Sequence, residues 1–91
     1  MSKDVQVGGV AISKAGRDKG RVYCIIEVIS EDYVNVADGG ARKLLSPKKK
    51  KVKHLIIKPY KLESIAEKLV DGRKIFDAEL KSAINALGEK Q

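Results

Sequence analysis

A chain of 91 residues with a formal net charge of +7 and a hydrophobic content of 43% supports one small core and leaves little room for a deep catalytic cleft. Its one cysteine, Cys24, excludes an intrachain disulfide and a thiolate metal cage, and points to a reducing, cytoplasmic setting. Apolar runs such as 24–26 and 55–57 fall far short of the roughly 20 residues that span a bilayer, and the opening residues MSKDVQVGG lack the apolar centre of a secretory signal.

From residue 5 to residue 36 the hydrophobic period is two, the mark of strands with one buried face. Residues 10–13 form a short strand, followed by the loop 14–20. The next strand alternates most cleanly, with Val22, Cys24, Ile26 and Val28 on one face and Arg21, Tyr23, Ile25, Glu27 and Ile29 on the other. The first face reads as core. Ser30, Glu31 and Asp32 turn the chain, and Val34 and Val36 resume the inward parity before Asp38-Gly39-Gly40, a turn signal because glycine accepts positive φ. Residues 41–45 are expected as a fourth strand, broken by Ser46-Pro47, and residues 52–57 as a fifth. Several short strands in so small a chain favour a closed barrel, which removes exposed edges.

After Pro59 the period changes to about 3.6. Leu62, Ile65, Ala66, Leu69 and Val70 fall at helical spacing, with Gly72 placed as the C-terminal cap. A second helix is expected from an Asp77 N-cap, with Phe76, Leu80, Ala83, Ile84 and Leu87 on one face and Gly88 at its end. Glu89, Lys90 and Gln91 read as a loose tail. The domain division is therefore a barrel over 5–58 and a helical extension over 59–91.

Charge is segregated along this framework. Residues 39–61 hold nine lysines and arginines and no acid, against ten bases and twelve acids elsewhere, a net of −2. A field so concentrated attracts polyanions and releases counterions on contact, which is the electrostatic footprint of a nucleic-acid binder. A lysine run kept for solubility is the bland alternative, but this run lies between apolar strand-like segments. Low aromatic content, Phe76 with Tyr23, Tyr33 and Tyr60, argues against binding single strands chiefly by stacking.

Gly9-Val10, Ala15-Gly16-Arg17-Asp18-Lys19-Gly20, Val28-Ile29, Val34-Asn35-Val36 and Asp38-Gly39 together resemble a KOW motif. The wider pattern, AGRDKG, then DGGARKLLSPKKKK, then VKHL, is similar to the fourteen-e family of large-subunit ribosomal proteins and its stand-alone bacterial relatives, over about residues 7–57. The resemblance implies an SH3-like β-barrel, followed here by two short helices, that binds ribosomal RNA or the large subunit, with ribosomal proteins as further contacts. The residues themselves agree. Gly16 and Gly20 permit a tight loop whose amides approach a phosphate, ringed by Lys14, Arg17, Lys19 and Arg21. The guanidinium of Arg17 suits a phosphate or an unpaired base.

Sharper chemistry finds less support. His54 has no second histidine or cysteine nearby and reads as a packing or phosphate-contact residue, not a metal ligand. The loop 14–20 lacks GxxxxGK[ST] and does not open a helix, so it is not a nucleotide-binding loop. Asp18 reads first as a turn residue and second as the partner of a neighbouring base. Tyr23 and Tyr33, on the outward parity of adjacent strands, read as a cross-strand pair more than as stacking platforms. Cys24 reads as unreactive core. No convergent titratable cluster is visible, so neither catalytic residues nor cofactors are expected.

The expected function is thus non-enzymatic binding of structured RNA by a protein that is monomeric off the ribosome and has no membrane partner. The contact residues are Lys14, Arg17, Lys19, Arg21, Arg42, Lys43, Lys48, Lys49, Lys50, Lys51, Lys53 and His54. A protein interaction module of the transcription or translation machinery is the alternative.

Overall fold

A computed structural model describes residues 5–88; the tail read at 89–91 and the first four residues lie outside the described part. The chain forms a five-stranded antiparallel sheet and two C-terminal helices: β1 (Gly9–Ser13), β2 (Val22–Val28), β3 (Tyr33–Ala37), β4 (Lys48–Lys51), one turn of 3-10 helix (Val52–His54), β5 (Leu55–Lys61), α1 (Glu63–Asp71) and α2 (Asp77–Leu87). The strand order is β4-β3-β2-β1-β5. β4 and β5 form no ladder with each other, so the sheet is open at that seam, and the 3-10 turn carries the chain across it.

Both faces of the sheet are covered. One face gathers Ala11, Tyr23, Ile25, Val34, Val36, Val52 and Leu55 into a cluster of its own. The other gathers Val10, Cys24 and Ala37 with Leu62, Ile65 and Leu80 of the helical segment. Every residue of the interior strand β1 is therefore buried. The expected core face of β2 is corrected by this arrangement. Tyr23 and Ile25, read as outward, lie inside, while Cys24 is core against the helices and Val28 is 40% exposed.

A β-bulge explains part of the difference. Cys24 and Ile25 pair with Ala37 and Val36, but Glu27 and Val28 pair with Asn35 and Val34, so the register slips between Ile25 and Glu27. An extra residue exchanges the two faces of a strand whose side-chain period is two.

The region 38–46, expected to hold a fourth strand at 41–45, is instead a loop held by carboxylates. Asp38 Oδ1 accepts the amides of Gly40 and Arg42, each at 2.8 Å, and Asp77 Oδ1 accepts the amide of Leu44 at 2.7 Å. Backbone donors satisfied in this way have no need of a ladder. The fourth strand is the lysine run itself, laid along β3 with Tyr33 opposite Lys51 and Val36 opposite Lys48. Lysine has low strand propensity, but at a sheet edge its charge discourages further pairing. Residues 52–54, expected as strand, form the 3-10 turn, and β5 runs past Pro59 to Lys61.

The helices follow the sequence closely. Gly72 and Gly88 end them in the left-handed conformation. Asp77 is not the N-cap of α2: Phe76 holds that position, and Asp77 is the first helical residue, its carboxylate turned to the Leu44 amide. Phe76, expected on the buried face, is 62% exposed, as is Val70 of α1 at 77%, whereas Ile65 and Leu80 are fully buried. Each helix sits directly on a glycine of the sheet layer. A β-carbon on Gly8 would lie 2.4 Å from Ala66 Cβ of α1, and one on Gly39 would lie 2.2 Å from the Asp77 carbonyl oxygen of α2.

Candidate nucleic-acid interface

The loop 14–20 joins β1 to β2, and Gly16 and Gly20 take φ of 83° and 90° within it. The amides of Lys19, Gly20 and Arg21 are used inside the loop, on the carbonyls of Gly16, Ser13 and Asp18, so these three are not free for a phosphate. The Lys14 amide bonds the His54 carbonyl at 3.0 Å, which brings the loop against the 3-10 turn. Lys14, Arg17 and Lys19 from the loop and Lys53 and His54 from the turn are all exposed. None of these five side chains has a hydrogen bond or ion pair among the described residues.

Asp18 is the organising residue of this end of the fold. Its Oδ2 accepts the Tyr23 hydroxyl at 2.6 Å, and its Oδ1 accepts the Ser13 hydroxyl at 2.8 Å and the Lys50 ammonium at 3.0 Å. The Lys48 ammonium stands 3.6 Å from Oδ2. Lys50 also donates to Ser13 Oγ at 3.2 Å. Side chains of β1, β2 and β4 and of the loop thus meet at one carboxylate, where the backbone ladder leaves the sheet open. Burial raises the Asp18 carboxyl, but the hydrogen bonds from Tyr23, Lys50 and Ser13 outweigh it and hold the group well below the usual carboxylate range. Burial, and then donation to this anion, push the Tyr23 phenol above its ordinary range.

The lysine run is consequently divided. Lys48 and Lys50 turn toward Asp18, and the side chain of Lys50 is only 10% exposed. Lys49 and Lys51 lie on the opposite parity, and the Lys49 ammonium sits 4.6 Å from the centroid of the Tyr33 ring. Tyr33 therefore pairs with a lysine, not with Tyr23, whose strand partner is Ala11. Arg21 is drawn the other way, to Asp38 at 3.3 Å, and Arg42 reaches the Ser46 carbonyl at 3.5 Å. Lys43 is exposed on the same loop, with no side-chain partner among the described residues.

Of the twelve predicted contact residues, the structure brings Lys14, Arg17, Lys19, Lys48, Lys53 and His54 together around the loop and the turn. It places Lys49 and Lys51 on the other side of β4, Arg21, Arg42 and Lys43 beside the 38–46 loop, and Lys50 largely out of solvent. Sequence reading missed Ser13 and Tyr23 as the groups that position Asp18. Nothing in the sequence points to them, since Tyr23 reads as outward there and its burial depends on the second covered face of the sheet. Asp18 itself takes the role of a base's partner, not merely that of a turn residue.

Cys24 is fully buried, and burial pushes its thiol up to about 12. Among the described residues no group of three or more histidine, cysteine or acidic side chains is placed to hold a metal ion, and no helix is long and apolar enough to cross a membrane. The chain matches no protein-family model and no curated protein sequence.

Proposed function

We propose that the chain is a non-enzymatic RNA-binding protein whose coiled sheet is an SH3-like barrel of KOW type, and that its partner is structured RNA, foremost ribosomal RNA in the large subunit. The observation that carries this reading is the cluster of Lys14, Arg17, Lys19, Lys53 and His54, exposed together and unpaired with any described acid. Several other bases face acids, as Lys48 and Lys50 face Asp18, Arg21 faces Asp38, Lys68 faces Glu79 and Arg73 faces Asp71, while Lys43 and Lys81 stand apart from the cluster. Cations left without counter-ions on one surface attract a phosphate backbone and gain affinity from released counterions. Selectivity then rests on RNA shape and the 2′-hydroxyl.

The test is the affinity for a structured ribosomal RNA fragment across a salt series. Five phosphate contacts on single-stranded-like parts of that RNA predict a slope of log K on log salt of roughly −3.5. A slope near zero sinks the proposal in favour of a protein partner. Sedimentation of native lysate with and without ribonuclease then separates ribosome association from binding to other RNA.

A further inference from the structure

The C-terminal half of α2, packed on the sheet through Ala83, Ile84 and Leu87, borders an open cleft of about 430 Å3 with the start of β2 and the 38–46 loop. The two walls touch at one end, where Gly39 lies against the Asp77 carbonyl, and separate toward Asn85. Val22 and Ile84, both half-buried, give the cleft apolar surfaces, and Gly40 gives it a bare stretch of backbone. Its polar groups are Arg21, Lys81 and Asn85. The Arg21 guanidinium spends one nitrogen, Nη1, on Asp38 and is 46% exposed. The side chains of Lys81 and Asn85 have no hydrogen bond or ion pair among the described residues.

We infer that this cleft receives one unpaired nucleotide of the bound RNA, an inference that rests on the RNA-binding reading above. The volume falls within the roughly 300–1,000 Å3 of small-ligand sites, which are mostly apolar with a few converging polar groups. A base fits the chemistry better than a phosphate alone. Aliphatic walls and a guanidinium plane suit a π-face, and an amide such as Asn85 offers both a donor and an acceptor to a base edge. The Lys81 ammonium, whose stem runs 3.8 Å from the position of a Gly40 β-carbon, supplies the charge for the attached phosphate. Arg21 follows directly on the loop 14–20 and ties the cleft to the segment that carries Arg17 and Lys19.

The experiment titrates the full chain with adenosine monophosphate and, separately, with inorganic phosphate, following amide chemical shifts. It also compares affinity for an RNA hairpin with an unpaired loop and for a fully paired duplex of equal charge. Saturable shifts at Gly40, Ile84 and Asn85 with the nucleotide, but not with phosphate, are expected, along with about tenfold tighter binding of the hairpin. Asn85→Trp, which fills the cleft from an exposed position, should abolish both effects and leave duplex affinity within twofold; Lys81→Gln should halve the hairpin preference or more. Nucleotide shifts absent from the cleft, with equal and salt-dependent binding of both RNAs, overturn this inference and leave the basic interface standing. Failure of the wild-type chain to bind either RNA in a salt-dependent way overturns the RNA reading, and this inference with it.

Discussion

The Tyr23 hydroxyl donates to Asp18 Oδ2 across 2.6 Å, tying the buried face of the sheet to the loop that carries Arg17 and Lys19. Asp18 is 11% exposed at its side chain and faces Lys50, itself 10% exposed. Asp18→Asn keeps the shape but leaves the Lys50 ammonium nearly buried without a counter-ion. Breaking a buried pair from one side costs roughly 3–5 kcal/mol. Lys50 keeps its bond to Ser13 and some water at the rim, so a loss of about 2–3 kcal/mol is expected in urea unfolding. A loss below about 0.5 kcal/mol, the range of an ordinary surface change, would show that the carboxylate does not hold the loop.

The same carboxylate sets the acid limb of stability. Because the folded Asp18 has a depressed pKa, the unfolded state binds more protons in the acid range, so stability rises with pH there. The contribution is complete above the unfolded value of about 3.9 and is lost as pH falls below it toward the folded value. Unfolding free energies at pH 5 and pH 7 should therefore agree as far as this group is concerned, and the decline below about pH 4 should be shallower in Asp18→Asn.

The alkaline limb has the opposite sign. Tyr23 and Cys24 have raised folded values, so each stabilises fully below its unfolded pKa and loses that contribution as pH climbs. Loss should begin near pH 8.5, about the unfolded value of cysteine, and steepen past about 10 with tyrosine. Cys24→Ala should remove the earlier phase and Tyr23→Phe the later one in a pH series of unfolding midpoints. An unchanged profile in both variants would mean that neither group is desolvated as the structure has it.

How much of this was legible in the sequence depends on how local the cause is. The helices were, since period, glycine caps and apolar stripes all lie within one segment, and so were the β2–β3 hairpin and the loop 14–20. The face assignment of β2 was not, because both sheet faces are covered, which buries Tyr23 and Ile25 as well as Cys24, and because one extra residue near Ile26 exchanges the faces beyond it; an uninterrupted alternation shows neither. The strand of four lysines was hidden by its low propensity, and the 41–45 segment was misread because Asp38 and Asp77, rather than a neighbouring strand, take its amides. The link from Asp18 to Lys50, across 32 positions, depends on the sheet bringing β4 to the end of β1.

That link makes two neighbouring lysines respond differently. Lys53→Gln, on the exposed turn, should leave stability within about 0.5 kcal/mol and reduce the salt slope of RNA binding by about 0.7, one phosphate contact. Lys50→Gln should instead lose about 1–2 kcal/mol, as Asp18 gives up a charge-assisted bond, while the slope stays as it was. If Lys50→Gln alters the slope as much as Lys53→Gln does, both lysines meet RNA and the run is not divided between two duties.

Two glycines separate backbone strain from helix docking. Gly39 and Gly72 have φ of 78° and 74°, so alanine pays a similar penalty for the left-handed conformation at each, about 1–2 kcal/mol. Among the described residues nothing lies within 4 Å of a carbon added at Gly72, whereas at Gly39 it would lie 2.2 Å from the Asp77 carbonyl and 2.8 Å from the Lys81 amide. Those are backbone atoms of α2 and have no rotamer through which to yield, so Gly39→Ala must shift the helix or the loop. It should cost at least about 2 kcal/mol more than Gly72→Ala, a further fall of about 8–16 °C in Tm for a domain of this size. Equal falls in the two variants would mean that α2 does not rest on the loop at Gly39, and would remove the closed end of the cleft beside it.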